Sequence, residues 1–141
     1  MTGTLFLVGT PIGNLEDITD RARLVLSDVD LIAAEDTRRT GRLLQHLGVE
    51  REGRRLISFF EGNEERRVPE LLSALRQGSD VAVLTDAGMP GVSDPGYRLV
   101  AACVEAGIGV DVAPGASAVL AALVISGLPT DRFVFEGFLP R

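Results

Sequence analysis

The chain is predicted to be an α/β domain, a five-stranded, mainly parallel sheet with helices on both faces. Three observations carry that prediction. Short apolar runs recur at residues 4–8, 31–34, 56–60, 81–85 and 110–112. Each run breaks into glycine or acid and then gives way to apolar residues at helical spacing, so strand and helix alternate. No internal repeat or low-complexity tract interrupts the pattern. Its 141 residues, 45% hydrophobic and 24% charged, suit one globular domain with its own core.

The first run closes in Gly9-Thr10-Pro11-Ile12-Gly13-Asn14, a loop that proline and glycine keep out of helix. Only Gly9 and Gly13 match a GxGxxG pattern and Pro11 removes a backbone donor, which argues against a phosphate cradle. Thr19 or Asp17 caps the next helix, whose apolar face is Ala22, Leu24, Val25 and Leu26. The second strand leads into Glu35-Asp36-Thr37-Arg38-Arg39, two acids followed by two arginines at a strand's carboxyl end. Asp36 or Thr37 can cap the helix through Leu43, Leu44 and Leu47, which Gly48 closes, and the same acids can serve a site. His46, the only histidine, falls late in this helix, where it favours the helix dipole.

The third strand ends in Glu61-Gly62-Asn63, with Asn63 expected to cap a helix that buries Leu71, Leu72 and Leu75 and that Pro69 loosens. The fourth is the most informative. Val81-Ala82-Val83-Leu84-Thr85 runs into Asp86-Ala87-Gly88-Met89-Pro90-Gly91, where glycine allows positive φ and close approach of backbone to a ligand. Asp94 and Pro95 are expected to open the following helix as N-cap and first residue, with Tyr97, Leu99, Val100 and Cys103 along it. Ligands of open α/β sheets bind beyond the carboxyl ends of strands, so this loop is the first candidate site. After the fifth strand, Ala113-Pro114-Gly115-Ala116-Ser117 breaks into a helix of alanine, valine and leucine that lasts to Gly127. Residues 133–135 are read as a strand or an extended exit, and the final Leu139-Pro140-Arg141, without cap or polar tail, reads as a cut.

Composition narrows the function. A net charge of −6 argues against a surface that grips nucleic acid everywhere. The balance is −5 over residues 1–37, +3 over residues 38–67 and −4 over residues 68–141, so the basic excess is local. No apolar run is long enough for a membrane span and no signal-peptide pattern opens the chain, which is read as cytoplasmic. Cys103 alone offers neither a disulfide framework nor a cysteine metal site, and no metal is expected.

Six ordered motifs then make the sequence recognisable: residues 8–15, 34–38, 63–64, 85–97, 114–117 and 127–129. Together they resemble the bacterial methyltransferases that modify a cytidine 2′-hydroxyl in small-subunit ribosomal RNA, members of the tetrapyrrole methylase superfamily. The resemblance covers essentially the whole chain and implies S-adenosylmethionine as methyl donor, held between two α/β domains. This chain matches the N-terminal domain, with residues 128–141 beginning a linker to the second. By the same resemblance Pro11, Asp86, Ala87, Gly88, Met89, Ser93, Ala116 and Ser117 bind the donor. Arg38, Arg39 and Arg42 contact RNA phosphate, and Glu35, then Asp36, orients or deprotonates the ribose hydroxyl. Ribosomal RNA or the small subunit is the implied partner, with a homodimer as the assembly. The chain departs from the family at Phe60 and Gly62, where histidines are common, and at Ala116, where proline is. A tetrapyrrole methylase is the competing enzyme reading; its first loop usually reads Gly-Pro-Gly-Asp, against Pro11-Ile12-Gly13-Asn14 here. A non-catalytic ligand-binding fragment is the third.

Overall fold

The computed structural model describes residues 1–140; Arg141 lies outside the described residues. Five strands, β1 (Leu5–Val8), β2 (Leu31–Ala34), β3 (Arg55–Ser58), β4 (Val81–Leu84) and β5 (Val110–Ala113), alternate with five helices. These are α1 (Asp20–Asp28), α2 (Thr37–His46), α3 (Glu64–Arg76), α4 (Tyr97–Glu105) and α5 (Ala118–Ile125). The strands form one parallel sheet in the order β3-β2-β4-β1-β5.

Strand residues alternate between the two faces, as a pleated backbone requires. Val81 and Val83 join a core with Leu71, Leu75, Leu99 and Cys103 from α3 and α4. Ala82 and Leu84 join the opposite core with Ala22, Leu26 and Leu44 from α1 and α2. Burial on both faces is why β2 and β4 read as unbroken apolar runs. The edge strands carry charge instead: Arg55 on β3 pairs with Glu70 at 2.9 Å, and Asp111 on β5 with Arg21 at 2.7 Å.

Two caps match the sequence reading: Thr19 accepts from Ala22 N–H, and Asp36 from Arg38 and Arg39 N–H. The fifth helix starts after the expected loop, with Ser117 accepting from Leu120 N–H, a cap the sequence reading did not name. The other two helix starts depart from it. The α4 helix begins at Tyr97 after Gly96 (φ 134°), and the Gly96 N–H is held by Glu64 Oε1 at 3.1 Å, so Asp94 and Pro95 lie in the loop before it. The Asn63 side chain turns back to accept from Phe60 N–H and donate to Ser58, and makes no cap hydrogen bond to α3. Helix α5 is apolar along its whole length yet buries no residue, and Phe133 to Phe135 form no strand. Among the described residues no helix is long and apolar enough to cross a membrane.

Candidate functional site

Strands β1 and β4 are neighbours whose outgoing helices part. Helix α1 leaves toward one core and α4 toward the other. Such a divergence opens a crevice above the strand ends. It is bridged by a short antiparallel contact in which Thr10 N–H donates to Gly88 O at 3.0 Å and Gly88 N–H donates to Thr10 O at 3.1 Å. The Thr10 hydroxyl also donates to the Thr85 carbonyl at 3.2 Å, locking the two loops together.

The β5 loop completes the junction. A Cβ on Gly9 would sit 2.6 Å from Gly115 N and 2.8 Å from Met89 Sδ, so only two bare backbones can meet there. Gly88 adopts φ +84°, and its Cβ position is a small recess with Ile12 Cγ2 at 3.6 Å and the Ala116 carbonyl at 3.7 Å. A side chain there would both strain the backbone and fill the recess.

Beside this junction lies a cavity of about 350 Å³ between the β1 loop, the first turns of α2 and the end of β4. Pro11, Leu15 and Leu43 give it apolar walls, while Arg39, Arg42 and Asp86 bring charge. Across the β4 end is a second cavity of about 580 Å³, lined by Glu35, Glu61, Glu64, Ser93 and Asp94 with Arg98. Glu35 and Asp86 stand between the two, because Glu35 Oε2 accepts from Asp86 N–H at 3.0 Å.

The carboxyls of this region differ by environment. Asp36 is held below the usual aspartate range because Arg39 N–H, then Arg38 N–H, bind its charged form. Asp86 is pushed up, first by burial and then by the Glu35 charge, with Arg39 opposing. Its nearest guanidinium contact, Arg39 Nη1 to Asp86 Oδ2, is a loose 3.9 Å. Asp94 is also pushed up, by burial and then by Glu35; the nearby Thr85 hydroxyl offsets this only in part and meets no hydrogen-bond geometry. Two side-chain atoms are buried with no partner, Thr85 Oγ1 and Asp86 Oδ1.

The expected donor residues thus divide. Gly88, Met89 and Ala116 meet at the three-loop junction, with exposed Ala87 beside them. Pro11 and Asp86 line the first cavity, Ser93 (φ 53°) lines the second, and the Ser117 hydroxyl caps α5. Met89 is partly buried against Gly9 rather than presented on an open edge. Of the arginines, Arg39 and Arg42 line the first cavity and Arg38 lines neither. Glu35 reaches the second cavity, while Asp36 spends Oδ1 on the α2 cap. Sequence reasoning missed Thr85, Leu15 and Leu43 as cavity residues, since their meeting depends on strand order. No group of acids, histidine and cysteine among the described residues is arranged to hold a metal.

A family model described as tetrapyrrole (corrin/porphyrin) methylases matches residues 4–139. The chain is 54% identical over 99% of its length to the Ribosomal RNA small subunit methyltransferase I of Thermotoga maritima, covering 61% of that protein. It is 58% identical over 97% of its length to the protein of the same name from Synechocystis, covering 48% of it. The chain therefore spans about half to three fifths of the length of these curated relatives. Among solved structures, the uroporphyrin-III-C-methyltransferase of Thermus thermophilus superposes with a TM-score of 0.65 at 28% identity, over 92% of this chain and 55% of that one. With the parallel sheet, the glycine junction and a match along nearly its whole length, the chain belongs to the tetrapyrrole (corrin/porphyrin) methylase family.

Proposed function

We propose that this chain is the N-terminal, donor-binding half of a methyltransferase that uses S-adenosylmethionine to methylate small-subunit ribosomal RNA, at the 2′-hydroxyl of a cytidine. The observation that carries the reading is the arginine-rimmed cavity beside the glycine junction, in a chain more than half identical to relatives with that name. The cytidine and its hydroxyl rest on the motif resemblance. The recess at Gly88, bounded by Ile12 and the Ala116 carbonyl, suits a ligand that needs main chain rather than side chain against it. Ala87, Gly88, Met89, Ala116 and Ser117 would hold the donor, which supplies an electrophilic methyl group on sulfur.

The chain's own residues supply placement. Arg39 and Arg42 present guanidinium groups suited to phosphate, fixing the RNA over the cavity. Glu35 Oε2 fixes the Asp86 loop and Asp36 Oδ1 fixes the start of α2. Each acid keeps a second oxygen with which to orient a hydroxyl or accept its proton. Positioning of this kind supplies up to ~7 to 11 kcal/mol of a transfer barrier.

The reading extends to a second α/β domain after residue 141, a cytoplasmic location and a homodimer. The length of the relatives and the uncovered apolar surface of α5 support the first and last of these. The test is methyl incorporation by the full polypeptide from labelled donor into small-subunit RNA, beside porphyrinogen and corrinoid precursors. Incorporation into RNA alone is expected; incorporation into a tetrapyrrole alone would refute the reading.

A further inference from the structure

The loop from Asp86 to Gly96 is held unevenly. Its first half is pinned to two other elements: Asp86 N–H donates to Glu35 Oε2 at 3.0 Å, and Gly88 pairs with Thr10 through both of its backbone groups. Residues 89–96 have less. Gly91 N–H donates to Pro95 O at 3.1 Å inside the loop, and Gly96 O serves α4 by accepting from Val100 N–H. Beyond these, a single hydrogen bond ties this half to another element among the described residues, from Gly96 N–H to Glu64 Oε1 at 3.1 Å. The backbone here needs holding. Gly91 has φ 83°, Gly96 has φ 134°, and Ser93, at φ 53°, is the one non-glycine residue with positive φ among the described residues. Such conformations persist where surrounding contacts impose them.

Glu64 is suited to impose this one. It is the first residue of α3 and 8% exposed, yet it takes part in none of the ion pairs among the described residues. A buried carboxylate without a cation is costly, and what favours it here is the positive end of the α3 dipole together with the Gly96 N–H. Its neighbour Glu65 stands in the same first turn but is exposed and makes no hydrogen bond to the loop.

We propose that Glu64 is a positioning residue for the methyl donor: through the Gly96 N–H it keeps residues 89–96, with Met89 and Ser93, in the form that binds the donor. The assignment rests on the donor reading above and extends it to a residue that is no donor contact itself. With the acceptor gone, the Gly96 N–H is left unpaired and this half of the loop is free to open. A donor that binds only the closed form then binds more weakly in proportion to the closed fraction, so a loop closed about one-tenth of the time costs about tenfold in affinity. Saturating donor restores the closed form, and turnover is spared.

The test uses the full polypeptide, with S-adenosylmethionine titrated by calorimetry and methyl transfer to small-subunit RNA followed at varied donor. Glu64→Ala is expected to raise the donor Kd and KM about tenfold and to change kcat and RNA affinity less than about twofold. Glu64→Gln keeps one oxygen to accept from Gly96, and because Oε2 makes no hydrogen bond the new amide nitrogen displaces none; it should bind donor within about threefold of wild type. Glu65→Ala removes the same charge from the same helix turn and should leave donor binding unmoved, which separates the hold on the loop from the helix dipole. If Glu64→Ala folds poorly, amide exchange in the wild type decides, where donor should slow exchange at Gly96 about fivefold or more. Donor affinity equal in wild type and Glu64→Ala, a loss matched by Glu65→Ala, a fall in kcat at unchanged KM, or exchange at Gly96 indifferent to donor overturns the proposal. A wild type that binds no donor defeats the donor reading and this assignment with it; donor binding without methylation of RNA defeats the RNA reading and leaves the role of Glu64 standing.

Discussion

Replacing Gly9 by alanine tests the three-loop junction with a single methyl group. The new Cβ would lie 2.6 Å from Gly115 N, 2.7 Å from Gly115 Cα and 2.8 Å from Met89 Sδ. The thioether can swing aside, but the Gly115 backbone cannot easily do so. Gly9 N–H donates to Ala113 O at 3.0 Å, and β5 is held in register against β1 up to Val8 and Ala113. Relief therefore means moving the β5 loop by most of an ångström, an overpacking that costs about 1 to 3 kcal/mol. For a domain of this size that lowers the melting temperature by about 3 to 10 °C. The same shift carries Ala116 away from the Gly88 recess, so donor affinity measured by calorimetry should fall about tenfold or more. A variant that melts within about 1 °C of wild type and binds donor equally well would show that the junction is neither tight nor part of the donor site.

Gly41→Ala is the control: it adds a methyl inside α2 with only Arg51 Nη1 near, at 3.5 Å, and should raise stability by about 0.5 to 1 kcal/mol in the same melting assay. Arg39→Ala with Arg42→Ala should lower the salt slope of RNA binding by roughly 0.7 to 0.9 per lost phosphate contact, and Arg38→Ala should lower it less; an unchanged slope in the double variant rejects the phosphate assignment. Asp94 is raised above the ordinary aspartate range, so the native state keeps a proton that the unfolded chain has lost and stability falls as pH rises through that window. Asp94→Asn should therefore melt higher than wild type at neutral pH and lose the advantage below the ordinary aspartate value; an equal advantage at both would remove ionisation as the cause. The 141-residue chain expressed alone should self-associate through α5 and the apolar residues after it, of which Val124 is 70% and Ile125 84% exposed. A monomer at all concentrations in sedimentation would count against that.

How much of this was legible in the sequence follows from the range of each interaction. Strand β2 and the caps at Thr19 and Asp36 depend on neighbours in the chain, and the sequence shows them. The start of α4 does not: Gly96 N–H is claimed by Glu64, 32 residues earlier, and no local rule finds that bond. Asn63 has cap chemistry, but the turn at Ser58 and Phe60 takes it first. Strand order is not read from the sequence: the third apolar run, residues 56–60, leaves out Arg55, and the edge charges of Arg55 and Asp111 become meaningful only once β3 and β5 are seen at the ends of the sheet. That β4 lies between β2 and β1 is what brings Thr85 and Asp86 against Leu15 and Leu43, and periodicity contains nothing about it.

The opposed charges of the two cavities bear on how an acidic chain could take up a polyanion. Screening at physiological salt confines charge effects to about 8 Å, so the net −6 matters less than what stands at each opening. Arg39 and Arg42, from the only segment with a basic excess, line the first cavity; Glu35, Glu61, Glu64 and Asp94 line the second. A phosphate backbone is therefore drawn to one side of the Glu35–Asp86 wall and turned away from the other. Two arginines give only a few contacts, too few for tight binding through phosphate alone in this half. Selectivity must then come from short-range contacts other than phosphate, because phosphate contacts position a strand without carrying its sequence.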